Sequence, residues 1–204
     1  MTAEKHDLSF FAKCMTGGSL ACGLSHYIMT PIDLVKCRKQ INPQLYKSYP
    51  DGLRTIIAHE GYRGTMLGWF PTLAGYGMQG AARFGLYEFF KDRYRGALGE
   101  ERAARYQTLG FMVSAASAEC IADLFLCPWE AMKVKMQVAE PGTFPTTARG
   151  AGAKMMNEGG IAGFYKGLQP LWARQIPYTV VKFTTFEKTV NFIYGHVLSA
   201  PKES

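Results

Sequence analysis

Apolar residues along this chain gather into four long runs, broken at intervals by small or charged residues and separated by polar stretches bearing Gly and Pro. The first extends from about Leu8 to Gln40 with Pro31 inside it, and the second from about Trp69 to Arg93. The third covers 106 to 138 around Pro128, and the fourth runs from about Leu168 to Leu198 around Pro177. Each predicts a helix which, at about 1.5 Å of rise per residue, is long enough to cross a hydrocarbon layer about 30 Å thick. Between the members of each pair, amphipathic stretches at 50 to 58 and 146 to 157 predict short helices lying on a membrane surface. The fold class is therefore an all-α membrane protein with four kinked transmembrane helices plus short surface helices, and the even number of spans puts both chain ends on one side.

The two halves repeat one another. Pro-Ile-Asp-Leu-Val-Lys-Cys-Arg-Lys-Gln at 31 to 40 and Pro-Trp-Glu-Ala-Met-Lys-Val-Lys-Met-Gln at 128 to 137 share the pattern Pro-x-acid-x-x-base-x-base-x-Gln, 97 residues apart. Glu60-Gly61 pairs with Glu158-Gly159, Gly68 with Gly167, Pro71 with Pro170, and Arg83-Phe84 with Lys182-Phe183. This divides the chain into tandem units of roughly 100 residues at 8–96 and 105–198.

Composition narrows the picture. Hydrophobic residues make up 48% of the chain, yet mean hydropathy is only −0.07, so the helices are not uniformly apolar. Its 22 Gly fit backbones that approach one another closely inside a bilayer. The net charge of +7 is spread along the chain, with no patch that would bind nucleic acid. Five cysteines, at 14, 22, 37, 120 and 127, form no CxxC pair and no even framework, which points to a reduced or membrane-buried setting. The sequence has no GxxxxGK[ST], GxSxG or HExxH motif, which argues against a catalytic enzyme.

Charges within the runs fall on stripes. Gly75, Gln79 and Arg83 are spaced by four, and Arg174, Tyr178 and Lys182 match them 99 residues later. Cys22 and His26 align with Glu119 and Asp123 at a spacing of 97. Residues four apart share a helix face. Four such faces predict the walls of a water-filled cavity, lined by Arg83, Arg174, Lys182, Glu119 and Asp123, because a charge inside a bilayer normally faces protein or water. The plainer alternative is that buried Glu–Arg or Asp–Lys pairs hold helices together; five desolvated charges make that costly for the whole set. A cavity rich in bases favours an anionic substrate, and carboxylates beside a histidine are able to carry a proton.

The repeated Pro-acid-base pattern, at this period and followed by an acid-Gly pair, resembles the mitochondrial carrier family, whose members are built from three such units of two membrane helices each. Within it, Ala-Cys-Gly at 21 to 23 with His26, Gly-Tyr-Gly-Met-Gln-Gly at 75 to 80, Ser-Ala-Glu at 117 to 119 with Ala122-Asp123, and Pro-Leu-Trp-Ala-Arg-Gln-Ile-Pro-Tyr-Thr at 170 to 179 resemble its phosphate-transporting branch. The resemblance implies a multi-pass protein of the mitochondrial inner membrane that moves inorganic phosphate with a proton by alternating access. It places His26, Glu119 and Asp123 on the proton and phosphate path and Arg174 with Gln175 at a substrate contact. The stripes add Gln79, Arg83 and Lys182. Met1 to Asp7 carries no Arg-rich presequence, so targeting information is expected to be internal, and Ser199 to Ser204 is expected to be disordered.

By the same resemblance, the acid of one repeat pairs with the base of the next to close the matrix side. Asp33 pairs with Lys133, Glu130 and Lys36 seek partners on a third repeat, and Gln40 and Gln137 brace the pairs. Tyr87-Glu88-x-x-Lys91 resembles an outer gate, whose counterpart Phe186-Glu187-x-x-Val190 lacks the base. Tyr165-Lys166-Gly167 keeps an aromatic-base-Gly turn that, in the family, holds cardiolipin as a structural lipid, whereas Met66-Leu67-Gly68 departs from it. No other cofactor is implied.

Two repeats rather than three leave alternatives open. The sequence is incomplete, or the protein is a shortened form that oligomerises to transport, or it is a non-transporting membrane protein that binds a partner or cardiolipin. Copper is a second candidate substrate, because Cys22 and His26 stand one turn apart with Met29 nearby and soft ligands suit Cu(I).

Overall fold

The computed structural model describes residues 8–99, 102, 105–140 and 142–193. Met1 to Asp7, the tail Ser199 to Ser204 and the last turn expected of the fourth helix lie outside the described residues. Those described form α1 (Leu8–Ile41), α2 (Tyr49–Thr65), α3 (Trp69–Leu98), α4 (Gln107–Val138), α5 (Ala148–Tyr165) and α6 (Leu168–Phe192). The four long helices stand in a row: α1 packs on α3, α3 on α4, and α4 on α6, with α1 also reaching α4.

Among the described residues only α4 is both long and apolar enough by composition to cross a bilayer, with a mean hydropathy of 1.6 in its most apolar stretch. The other three long helices, of 34, 30 and 25 residues, have the length and carry polar stripes. Pro31, Pro128 and Pro177 lie inside α1, α4 and α6. Before Pro31, the fully buried Thr30 turns its hydroxyl back onto the His26 carbonyl at 3.2 Å, a local bond that favours bending.

Small residues set the spacing of the row. A methyl group added at Gly18 of α1 would lie 2.6 Å from the Gly80 carbonyl oxygen of α3, so the two backbones are in direct contact there. Gly75 of α3 leaves room for Trp129 of α4, and Ala115, Ala118 and Ala122 give α4 a narrow face. Two apolar clusters, Tyr76 with Leu126, Cys127 and Leu171, and Tyr87 with Ala115, Ala118 and Phe183, tie α3, α4 and α6 together.

Each surface helix sits on the kinked end of its repeat's first helix. Leu34, Val35, Tyr46 and Ile56 bury the underside of α2, and Met132, Met136, Ala151, Met155 and Phe164 bury that of α5. Ser48 caps α2 by accepting from the Asp51 backbone amide, and Thr147 caps α5 by accepting from that of Gly150. Both helices break at a glycine with positive φ, Gly61 (φ 73°) and Gly160 (φ 56°). In the second repeat the break thus falls on Gly160, one residue past the Glu158-Gly159 landmark. The second helix also runs past Arg93 to Leu98, where Gly99 at φ 75° ends it.

Candidate functional site

The polar residues of the two repeats meet at three levels. At the middle, Gln79 and Arg83 of α3 face Glu119 and Asp123 of α4. The Gln79 amide nitrogen donates to Glu119 Oε1 at 3.1 Å and to Asp123 Oδ1 at 3.0 Å. Arg83 Nη2 donates to Glu119 Oε1 at 2.6 Å, and its Nε lies 2.6 Å from Oε2. Glu119 and Asp123 are 0% exposed. The guanidinium thus pairs with Glu119 and the Gln79 amide bridges the two carboxylates, while Asp123 Oδ2 is buried without a hydrogen-bond partner, as is Oγ1 of Thr179 on α6.

The five charges expected to face one water-filled cavity are divided. Glu119, Asp123, Gln79 and Arg83 are closed inside the α3–α4 interface, whereas Arg174 and Lys182 are exposed on α6 and Gln175 is half-buried. The small faces of α3 and α4 let the side chains pair directly, which offsets the desolvation that drives charges toward water. Lys182 lies over the ring of Tyr178, 5.8 Å from its centroid. A cavity of about 390 Å³ opens elsewhere, between α2 and α4, lined by Arg38, Glu60, Arg63, Trp69, Met136 and Phe144 among others.

At the end bearing the proline kinks, Lys133 Nζ of α4 reaches Asp33 Oδ2 of α1 at 2.9 Å and stands 5.2 Å from the centroid of the Tyr76 ring. His26 lies flat on that ring, with centroids 3.7 Å apart and planes 8° from parallel. His26 Nδ1 is 2.9 Å from the Cys22 carbonyl, which leaves Nε2 as the nitrogen free to take a ligand. Among the described residues no group of three or more His, Cys, Asp or Glu side chains is placed to hold a metal. Lys36 and Glu130 make no ion pair among the described residues, and Glu130 Oε2 is buried without a hydrogen-bond partner.

Gln137 differs from its expected bracing role. Its amide donates to the Leu67 carbonyl at 3.1 Å and its Oε1 is unpartnered. Gln40 is exposed. Arg38 instead ties this end together: it grips both oxygens of Glu60 and donates through Nε to the Gln137 carbonyl at 3.0 Å. Sequence reasoning missed Arg38, although it is the second base of the repeated Pro-acid-base pattern. It also passed over Tyr76 and Thr179, which carry no charge.

At the opposite end, Glu187 of α6 accepts from Lys91 at 3.2 Å and from the Tyr87 hydroxyl at 3.3 Å. Lys91 also bonds Glu88 at 3.1 Å and rests 4.9 Å from the Tyr87 ring centroid. The absence of a base at Val190 does not matter to this cluster, because Glu187 pairs across to the first repeat.

The model of the family described as mitochondrial carrier protein matches residues 7–98 and 105–197. The chain is 49% identical over 193 residues to "Phosphate carrier protein, mitochondrial" of Caenorhabditis elegans, covering 95% of this chain and 56% of that protein. It is 47% identical over 202 residues to "Mitochondrial phosphate carrier protein 3, mitochondrial" of Arabidopsis thaliana, covering 98% and 52%. Against "Solute carrier family 25 member 3" of Homo sapiens it is 46% identical over 193 residues, covering 95% and 53%. The chain spans about half the length of these relatives. Two family matches, one over each repeat, and identity at this level across nearly every residue lead to one conclusion: the chain belongs to the mitochondrial carrier family, as an all-helical, multi-pass protein of the mitochondrial inner membrane.

Proposed function

We propose that this chain moves inorganic phosphate together with a proton across the inner membrane by alternating access. The observation that carries the proposal is the buried set of Glu119, Asp123, Gln79 and Arg83, in which Arg83 pairs with Glu119, Gln79 bridges Glu119 and Asp123, and two carboxylates stand beside a single cation. A single proton neutralises the excess negative charge there, and a low-dielectric setting makes that proton matter energetically. Arg174 and Lys182, exposed on α6, supply the anion contact. A guanidinium offers dihydrogen phosphate a bidentate charge-assisted pair, and an ammonium adds a point charge. Support also comes from the relatives named as phosphate carriers.

In this reading the Asp33–Lys133 pair closes the matrix side, with Lys36, Gln40, Glu130 and Gln137 around it. Tyr87, Glu88, Lys91 and Glu187 close the outer side. Cardiolipin phosphates occupy the turn at Gly167 and the helix starts near it.

The test is uptake of labelled phosphate by liposomes bearing the chain, with an acidic exterior. Flux that rises with the pH gradient and is lost in Arg174→Ala and Glu119→Gln supports the proposal. Flux indifferent to the gradient removes proton coupling. Full flux in Arg174→Ala moves the anion contact elsewhere. No flux at all from the folded 204-residue chain means that these two repeats do not transport by themselves.

A further inference from the structure

The sequence reading assigned no role to Tyr76, yet it is the residue on which the central path and the kinked-end gate converge. Its ring is buried, 8% exposed, on α3 beside Leu126, Cys127 and Leu171. His26 of α1 covers it in a parallel stack at 3.7 Å. Lys133 of α4, whose ammonium is paired with Asp33 at 2.9 Å, stands 5.2 Å from the same ring. Three helices from both repeats therefore meet on one aromatic side chain.

Such a ring transmits position as well as charge. A parallel stack fixes the plane of the imidazole, and an ammonium near an aromatic ring is attracted by its quadrupole. The two partners are linked because they share the ring. If His26 moves or acquires charge, the ring tilts or its attraction for Lys133 weakens, and the Asp33–Lys133 pair loses a support. The same contact works in reverse, since a shift of Lys133 away from Asp33 alters the surface on which His26 rests. Other charged groups around this point are Glu130 on α4 and Arg174 on α6.

We propose that Tyr76 is a positioning residue that couples His26 to the Asp33–Lys133 gate, so that occupancy of the path at His26 sets how firmly that gate is closed. This rests on the transport reading for the names of path and gate, but its test needs no transport.

Cys37 offers a native reporter. It is half-buried on α1, one helical turn beyond Asp33, and Cys127, buried in the cluster that holds Tyr76, reports whether that cluster has itself opened. The experiment follows maleimide labelling of both cysteines by peptide mass spectrometry on the full chain in liposomes. In Tyr76→Leu, Cys37 is expected to react about threefold faster or more, because local opening sets such rates, while Cys127 stays protected. Tyr76→Phe keeps the ring and should label like the parent chain. His26→Gln leaves Tyr76 in place and should also accelerate Cys37. In the Tyr76→Leu/His26→Gln double variant the rate should match the faster single variant, since both changes break one linkage.

An unchanged Cys37 rate in His26→Gln would overturn the proposal, as would multiplication of the two effects in the double variant. Slow labelling in a folded Tyr76→Leu chain would do the same. If Tyr76→Leu exposes Cys127, then His26→Gln and Tyr76→Phe decide the matter between them. Loss of phosphate flux without these labelling changes counts against Tyr76 as a coupler while leaving the transport reading standing; the labelling pattern without any flux does the reverse.

Discussion

Arg83 and Glu119 approach to 2.6 Å across the α3–α4 interface, in a place where the carboxylate is 0% exposed and the arginine 8%. The pair joins one repeat to the other, beside the Gln79 amide that also holds Asp123.

Removing one member of such a pair strands the other's charge. Arg83→Met and Glu119→Gln are each expected to lower stability by about 3 to 5 kcal/mol, the usual cost of an uncompensated buried charge. Arg83→Met combined with Glu119→Met should recover part of that loss, because neither member strands the other and Asp123 keeps the Gln79 amide. Thermal unfolding in detergent measures all three. A double variant no more stable than the worse single one would show that Asp123, left without a nearby cation, carries the loss.

The Asp33–Lys133 pair is lopsided. The lysine side chain is 4% exposed and the aspartate 28%. Asp33→Asn leaves an ammonium with little access to water, and is expected to cost about 2 to 3 kcal/mol. Lys133→Met leaves a carboxylate that water reaches, and should cost nearer 1 kcal/mol. The order of the two melting temperatures is the observable; equal or reversed losses would mean that the ring of Tyr76 holds Lys133 in place without Asp33.

Helix positions were legible in the sequence because proline, glycine and the apolar runs act locally. Pro31, Pro128, Gly68 and Gly167 mark where elements kink or begin whatever surrounds them. The pairing of Asp33 with Lys133 was legible only through the family's pattern, since partners 100 residues apart leave no local trace. What the stripes did not disclose was depth. Gln79, Arg83, Glu119 and Asp123 have the spacing of a wetted wall and sit in a dry interface, because the decisive factor is how closely two helix backbones approach. That distance depends on Gly75, Ala118 and Ala122, residues with no chemistry of their own. Tyr76 escaped for a related reason: it carries no charge, and only the fold brings His26 and Lys133 to its ring.

The α1–α3 contact makes a sharp distinction between adjacent glycines. A methyl group at Gly18 would meet the Gly80 carbonyl oxygen and Phe84 at 2.6 Å, while one at Gly17 meets nothing within 4 Å. Gly18→Ala is therefore expected to destabilise by about 1 to 3 kcal/mol through backbone separation. Gly17→Ala should stabilise by up to about 1 kcal/mol, the ordinary helix preference of alanine. Melting of the two variants in the same detergent separates packing from propensity, and similar shifts of the same sign would mean that α1 and α3 do not touch at Gly18.

The breaks in the surface helices supply a test of the repeat register itself. Gly61 has φ 73° and ψ 179°, and Gly160 has φ 56° and ψ −160°, both in a region that side-chain-bearing residues scarcely enter. Nothing lies within 4 Å of an added methyl group at either site, so any cost of substitution is backbone strain alone. Gly61→Ala and Gly160→Ala are each expected to destabilise by about 1 to 3 kcal/mol. Gly159, which the spacing of Glu60-Gly61 and Glu158-Gly159 would select as the equivalent break, is not among the positive-φ glycines, and Gly159→Ala should be tolerated within about 0.5 kcal/mol. Thermal unfolding of the Gly159 and Gly160 variants side by side reads this directly. If Gly159→Ala is the damaging one, the helix breaks a residue earlier, and the break falls out of step with Gly167, which follows Gly68 at the same spacing as Gly160 follows Gly61.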